Sequence, residues 1–147
     1  MKVQFKKCNP LAVIPNYAHD GDSGMDLFSV EEDIVFFPSQ TKVIKTGLNI
    51  ILPKGYEAQV RPKSGLASKG LSVILGTIDN GYRGEICVIL KYDGSQMFKV
   101  PKLSKIAQIV IQKIESFEIE EVFEIENDTS RGEDGFGSTG LNIGKVI

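Results

Sequence analysis

Six prolines, at positions 10, 15, 38, 53, 62 and 101, punctuate the first two thirds of the chain and break any long helix there. Between and beyond them lie short β-rich runs separated by Pro or Gly. Val35-Phe36-Phe37, Lys42-Val43-Ile44-Lys45, and residues 48–52 and 56–60 come first, followed by 86–90, 106–111 and 117–125. Most runs last four to eight residues, which favours strands over helices. The one helix the pattern accommodates is brief, within residues 64–69. No repeat, heptad or linker divides the first 126 residues. The prediction is an all-β fold, a sandwich or jelly roll, over 1–126.

A chain of 147 residues suffices for one buried core. Its net charge of −2 gives no basic footprint of the kind that duplex nucleic-acid binders use. No apolar stretch approaches the roughly 20 residues that span a bilayer, and the charged start, residues 1–7, lacks a signal-peptide core. Cys8 and Cys87 lie far apart with one His in the chain, which suggests neither a disulfide framework nor a zinc site. A cytoplasmic setting is the default expectation.

The last twenty residues change character. Residues 127–140 are polar and glycine-rich, with Phe136 the single aromatic. Composition reads them as a disordered, flexible tail. They also hold the parts of a phosphate clamp: glycines that let backbone amides approach an anion, hydroxyls on Ser138 and Thr139, and the Arg131 guanidinium. Both readings hold if the tail is loose when empty and ordered on ligand.

Four further segments are over-specified for loops. In Asp22-Ser23-Gly24-Met25-Asp26-Leu27, small residues run into an acid entering a strand; Asp26 caps a turn, is simply solvated, or serves a metal. In Arg61-Pro62-Lys63-Ser64-Gly65-Leu66-Ala67 a strand ends and a helix begins. Ser64 is then either a plain N-cap or a phosphate ligand beside free helix amides. Gly76-Thr77-Ile78-Asp79-Asn80-Gly81-Tyr82-Arg83-Gly84 reads as a tight hairpin turn at Asn80-Gly81, which needs no function of its own. In residues 106–111 one amide, Gln108, interrupts an otherwise apolar strand, so it knits two strands together or points at a ligand.

In this order, the five segments resemble the five motifs of the trimeric dUTPase family. Gly24-Met25-Asp26-Leu27 is similar to the first, Pro62-Lys63-Ser64-Gly65-Leu66-Ala67 to the second and residues 76–84 to the third. Ile106-Ala107-Gln108 is similar to the fourth, and Arg131-Gly132 with Gly135-Phe136-Gly137-Ser138-Thr139-Gly140 to the fifth. The match covers residues 3–140. It implies a jelly-roll-like β-barrel assembled as a homotrimer, with residues 127–147 closing over a site formed between neighbouring subunits. The activity implied is hydrolysis of dUTP to dUMP and pyrophosphate, which limits uracil in DNA and supplies dUMP for dTMP synthesis.

The resemblance also implies roles. Asp79 would activate the water that attacks the α-phosphorus. Tyr82 would pack against the deoxyribose and leave no room for a 2′-hydroxyl, with Ile78 lining the same pocket. Main-chain groups around Val73 and Gly76 would pair with uracil. Lys63, Ser64, Gly65 and Gln108 would attend the phosphates around the scissile bond. Arg131, Ser138 and Thr139, with Gly137 among them, would hold the γ-phosphate, and Phe136 would cover the uracil ring. Mg2+ would be held mainly by phosphates and waters, with Asp26 acting through one of those waters.

Departures from the family pattern are also visible. Lys63 stands where Arg is usual, which keeps charge but loses the bidentate fork, and Arg61 is the residue placed to compensate. Leu103-Ser104-Lys105 replaces a common Gly-Asp-Arg, Val73 replaces a polar amide frequent in bacterial relatives, and Gly81 replaces an acid. Two rivals share the fold. A dCTP deaminase would need residues that activate water at the pyrimidine ring, and no such motif is present. A nucleotide-dependent regulatory binding protein could keep the same motifs.

Overall fold

The computed structural model describes residues 1–126 and 128–134. Two compact units are distinguished, Met1–Ser116 and Phe117–Ile147. Among the described residues no helix is long and apolar enough to cross a membrane.

The first unit is almost entirely β. Its strands are β1 (Gln4–Lys7), β2 (Gly24–Phe28), β3 (Ile34–Phe36), β4 (Thr41–Lys45), β5 (Leu48–Ile51), β6 (Tyr56–Arg61), β7 (Leu71–Val73), β8 (Gly76–Ile78), β9 (Cys87–Tyr92), β10 (Phe98–Val100) and β11 (Lys105–Lys113). The one helix among the described residues, α1 (Ser64–Ala67), follows β6. All strand pairs are antiparallel, in a four-stranded sheet of order β2-β11-β6-β8, a three-stranded sheet of order β4-β9-β7, and the pairs β1-β5 and β3-β10. This is the jelly-roll-like all-β architecture that the spacing of the runs predicts.

Alternation explains why these runs fold onto one core. In β9, Val88, Leu90 and Tyr92 face inward while Ile89 and Lys91 face out, the period of two that a half-buried strand requires. The side chains of Leu27, Phe36, Ile44, Leu48, Ile50, Leu71, Leu90, Ile106 and Ile109 are fully buried, each worth about 1.5–3 kcal/mol in removal from water. β11 is central, paired with both β2 and β6, and a register shift between Lys105 and Ala107 turns Ile106 and Ala107 both inward.

Pairing differs from the sequence expectation in two places. Asn80 and Gly81 do make a tight turn, closed by the Tyr82 amide donating to the Asp79 carbonyl at 3.0 Å. It is not a hairpin, because β8 pairs with β6 whereas β9 pairs with β4 and β7. The turn instead carries the chain between two sheets. In the same way β7 and β8 are consecutive yet splay into different sheets.

The described residues of the second unit contain no strand or helix. The run 117–125, which alternates apolar residues with glutamates, therefore does not form the expected strand. A strand needs a hydrogen-bonded neighbour, and none is present for it among the described residues. Phe117, Ile119, Phe123 and Ile125 are exposed as a result. Further on, the Gly132 amide donates to the Thr129 carbonyl and hydroxyl, and Arg131 Nε donates to the Asp134 carbonyl at 3.0 Å.

Candidate active site

Antiparallel register brings the first group together. Gln108 on β11 stands opposite Asp26 on β2 and opposite Arg61 on β6, so one row crosses three strands. Just past β6, Lys63 reaches back to Asp26. A cavity of about 230 Å3 is lined by Asp26, Lys63 and Gln108 together with Asn16, Asp22, Ser23 and Gly24.

Both Asp26 oxygens are engaged. Lys63 Nζ donates to Oδ1, and Lys105 Nζ donates to Oδ2 at 2.8 Å. Burial pushes the carboxyl up, but the Lys105 and Lys63 hydrogen bonds and charges together hold it below the ordinary aspartate range. Asp22 also lines the cavity, so two carboxylates and two ammonium groups balance there, and it is the Lys63 and Lys105 ammonium donors that suit a polyphosphate. The side chain of Asp26 is 18% exposed, so these interactions are less screened than an open surface pair. The alternative of a simple turn cap does not describe Asp26, which lies within β2.

Gln108 resolves its two readings by doing both things. Its Nε2 donates to the Pro62 carbonyl at 2.9 Å, tying β11 to the turn before α1, while the residue lines the cavity. A Cβ built on Gly24 would collide with Gln108 Oε1, so only glycine leaves that amide where it is. The plain N-cap reading of Ser64 fails, since Lys63 holds the cap position and Ser64 is the first helical residue. Ser64 and Gly65 are exposed, and their amides belong to the first turn, which has no intrahelical acceptors. Gly70, at φ 82°, closes the segment. Arg61 does not stand in for the missing arginine, because its guanidinium donates twice to Gln59 Oε1, at 2.7 and 3.1 Å.

The second group lies at the end of β8. A separate cavity of about 310 Å3 is lined by Gly76, Ile78, Asp79, Tyr82, Val60, Val43, Ile86, Cys87 and Ile89 among others, and shares no lining residue with the first. Asp79 is exposed. Tyr82 is 44% exposed, its hydroxyl donating to the Glu85 carbonyl at 2.9 Å, and a Cβ on Gly84 would run into its ring. Val73 does not line the cavity: its side chain is buried in the core, so only its main chain is left for recognition. Cys87 does line it, but burial, followed by the Glu85 charge, pushes its thiol up, which leaves a neutral apolar wall rather than a nucleophile.

Arg131 is exposed in the turn of the second unit. Phe136, Gly137, Ser138 and Thr139 lie outside the described residues. Sequence reasoning missed Lys105 as a partner of Asp26, and Val43 and Ile89 as cavity walls. A basic residue one bulge before the Gln108 strand was the only signal for the first. A further cavity, about 690 Å3 and walled by Val3, Phe5, Ile14, Met25, Tyr56 and Ile111 among others, holds none of the charged or polar motif side chains and is too apolar to bind a polyphosphate.

A family profile described as dUTPase matches residues 11–140. The chain belongs to the dUTPase family. A deoxyuridine 5′-triphosphate nucleotidohydrolase of Clostridium novyi is 55% identical over 144 residues, covering 96% of this chain and all of that one. Among solved structures, the dUTPase of Staphylococcus bacteriophage 80alpha with dUPNHPP superposes with a TM-score of 0.89 at 31% identity, covering 95% of this chain and 99% of that one. A mutant dUTPase of S. aureus phage phi11, described for its coordination of a structural Mg(II) ion, has a TM-score of 0.80 at 27% identity, covering 86% and 99%. The jelly-roll-like fold is thus that of dUTPases, and the family frame favours neither the deaminase nor the regulatory binder.

Proposed function

We propose that the protein is a dUTP diphosphatase, hydrolysing dUTP to dUMP and pyrophosphate by attack of an Asp79-activated water on the α-phosphorus. The observation that carries this reading is the division of its chemistry between two cavities with no common lining residue. Taken alone, one has charge for phosphates and no base pocket; the other has an apolar wall, a tyrosine and a free carboxylate, with no cation for a triphosphate. A site assembled between neighbouring copies supplies both, which supports subunit-shared sites in the homotrimer that the family resemblance implies. The exposed apolar side chains of 117–125 support the same assembly, since a monomer leaves them in water.

In this reading Lys63, Ser64, Gly65 and Gln108 bind the phosphates. Tyr82 and Ile78 hold the deoxyribose, and a steric clash at the tyrosine ring rejects a 2′-hydroxyl. Main-chain groups from Val73 to Gly76 read uracil, made available because β7 and β8 part into separate sheets. Asp79 orients the attacking water and takes its proton as the oxygen–phosphorus bond forms and pyrophosphate leaves. Residues 127–147 close over a neighbouring subunit's site, with Arg131, Gly137, Ser138 and Thr139 on the γ-phosphate and Phe136 over the base.

The residues present fit Mg2+ as cofactor. Among the described residues no group of three or more His, Cys, Asp or Glu could cage an ion, and Asp22 and Asp26 are the carboxylates at the phosphate cavity. Magnesium suits such a donor set, since it keeps several waters and binds through one or two carboxylates plus substrate phosphates; Asp26 would hold it through water. Bound there, it would withdraw charge from the triphosphate. The unpaired cysteines, Cys8 exposed and Cys87 half-buried, are in keeping with a cytoplasmic setting.

The test is pyrophosphate release from dUTP, dTTP, dCTP and UTP, with and without magnesium. Magnesium-dependent turnover of dUTP alone is expected. Ammonia release from dCTP, or no turnover at all, would overturn the reading. Removing residues 131–147 is expected to abolish hydrolysis and leave a folded trimer, and a truncated protein with full activity would remove the tail from the mechanism.

A further inference from the structure

Asp79 is exposed, and no hydrogen bond to its carboxylate is present among the described residues. A water-activating carboxylate must nonetheless stand within a fraction of an ångström of its working position, so the backbone has to hold it. On one side it is held by the sheet, since Ile78 pairs with Ala58 at the end of the β6–β8 ladder. On the other side the chain leaves the ladder and enters the turn. There the Asn80 side chain crosses to the segment after β5: its Nδ2 donates to the Leu52 carbonyl at 2.8 Å and to the Pro53 carbonyl at 2.7 Å.

We propose that Asn80 is the positioning residue for Asp79, clamping the turn so that the carboxylate is aimed without a hydrogen bond to it among the described residues. The proposal rests on the assignment of Asp79 as water activator. A primary amide on a short side chain meets the requirement, because two carbonyls close together need two donors from one group. A carboxylate at position 80 would face both carbonyls with lone pairs, and a hydroxyl could satisfy only one. The loop also carries other braces, among them the Tyr82 amide on the Asp79 carbonyl at 3.0 Å. Arg83 Nη1 donates to the Asn80 and Tyr82 carbonyls, each at 2.7 Å, and Asn49 Nδ2 donates to the Arg83 carbonyl at 3.0 Å. Tyr82 is secured through Glu85. Loss of the Asn80 amide therefore disturbs the aim of Asp79 more than the sugar pocket.

The experiment measures kcat and KM for dUTP, and the affinity for the α,β-imido analogue of dUTP, in full-length Asn80→Ala, Asn80→Ser, Asn80→Asp and Asp79→Asn. Asn80→Ala is expected to lower kcat roughly 10- to 100-fold with analogue affinity within about twofold. Asn80→Ser, which keeps one donor, should fall between it and the native enzyme, and Asn80→Asp should be lowest of the three. Asn80→Ala added to Asp79→Asn should cost nothing further. If Asn80→Ala does not fold, Asn80→Ser carries the same split. Native kcat in the Asn80 variants, with Asp79→Asn inactive, overturns the clamp alone. So does a parallel loss of analogue affinity, or an additive loss in the double variant. Native turnover in Asp79→Asn overturns the underlying assignment, and the clamp with it.

Discussion

Around Asp26 the side chains hold one another, whereas around Asp79 neighbouring side chains hold the main chain of the loop. The first cavity is a network of charge: two ammonium groups on one carboxylate, and an amide tied to a carbonyl. The second offers a bare carboxylate and a ring, each placed by the loop that carries it. A phosphate-binding half must present ordered donors before substrate arrives, and paired side chains achieve that. A water activator must keep its oxygens free, so any direct tether would compete with its task. The two halves therefore respond differently to substitution.

Asp79→Asn tests that contrast most strongly. Turnover is expected to fall by roughly 10²–10⁴ with analogue binding retained, and near-native kcat would leave the bare carboxylate without a role. On the other side, Lys63→Ala should raise KM for dUTP about 10- to 100-fold, the scale set by loss of a partly buried charge pair. Lys63→Arg should match or improve on the native enzyme, because a guanidinium can serve Asp26 and phosphate through separate donors. Equal steady-state constants for alanine and lysine at this position would break the charge-network account.

Gly84→Ala should push the Tyr82 ring from its place. The expected result is about tenfold weaker discrimination of dUTP over UTP, read from the ratio of kcat/KM values, with phosphate binding unaffected. Unchanged discrimination would separate the ring from the sugar. A pH series sharpens the comparison next. Because the Asp26 carboxyl is held below its ordinary range, its pairs contribute fully above the unfolded value and are lost as pH falls through the folded one. Urea midpoints should thus decline on acidification below about pH 4, and Asp26→Asn should flatten that decline; an identical acid limb in the variant would refute it. The smallest effect is expected at Leu103, a non-glycine residue at φ 57° in the turn before β11. Leu103→Gly should stabilise by about 1 kcal/mol or less, visible as a raised urea midpoint at unchanged kcat. A lowered midpoint would mean that the side chain contributes more than its backbone conformation costs.

The strands most legible in the sequence were those with strong alternation or continuous apolar character: β6, β9 and β11 lie where the runs 56–60, 86–90 and 106–111 predict them, within a residue or two at each end. β1, with two lysines, and the three-residue β10 carry little signal of their own and exist through their pairing with β5 and β3. The run 117–125 is the converse, a strand-like pattern with no neighbour to pair with among the described residues. At the site, Asp26, Lys63 and Gln108 were picked out through their motifs, but nothing in their spacing said that they meet. Lys105 was noticed only as a departure from the family pattern, and its contact with Asp26 depends on the bulge that starts β11.

What the sequence determined by itself was the class of fold and the inventory of chemistry. Short alternating runs broken by proline can bury their apolar faces only as β-sheets, and the ordered motifs name the family. The tertiary structure decided how that inventory is divided. Antiparallel register put Asp26, Gln108 and Lys63 on one cavity, and the parting of β7 from β8 sent Asp79 and Tyr82 to another. Local sequence carries propensity, while register and sheet membership arise from the packing of the whole core, which no single segment contains.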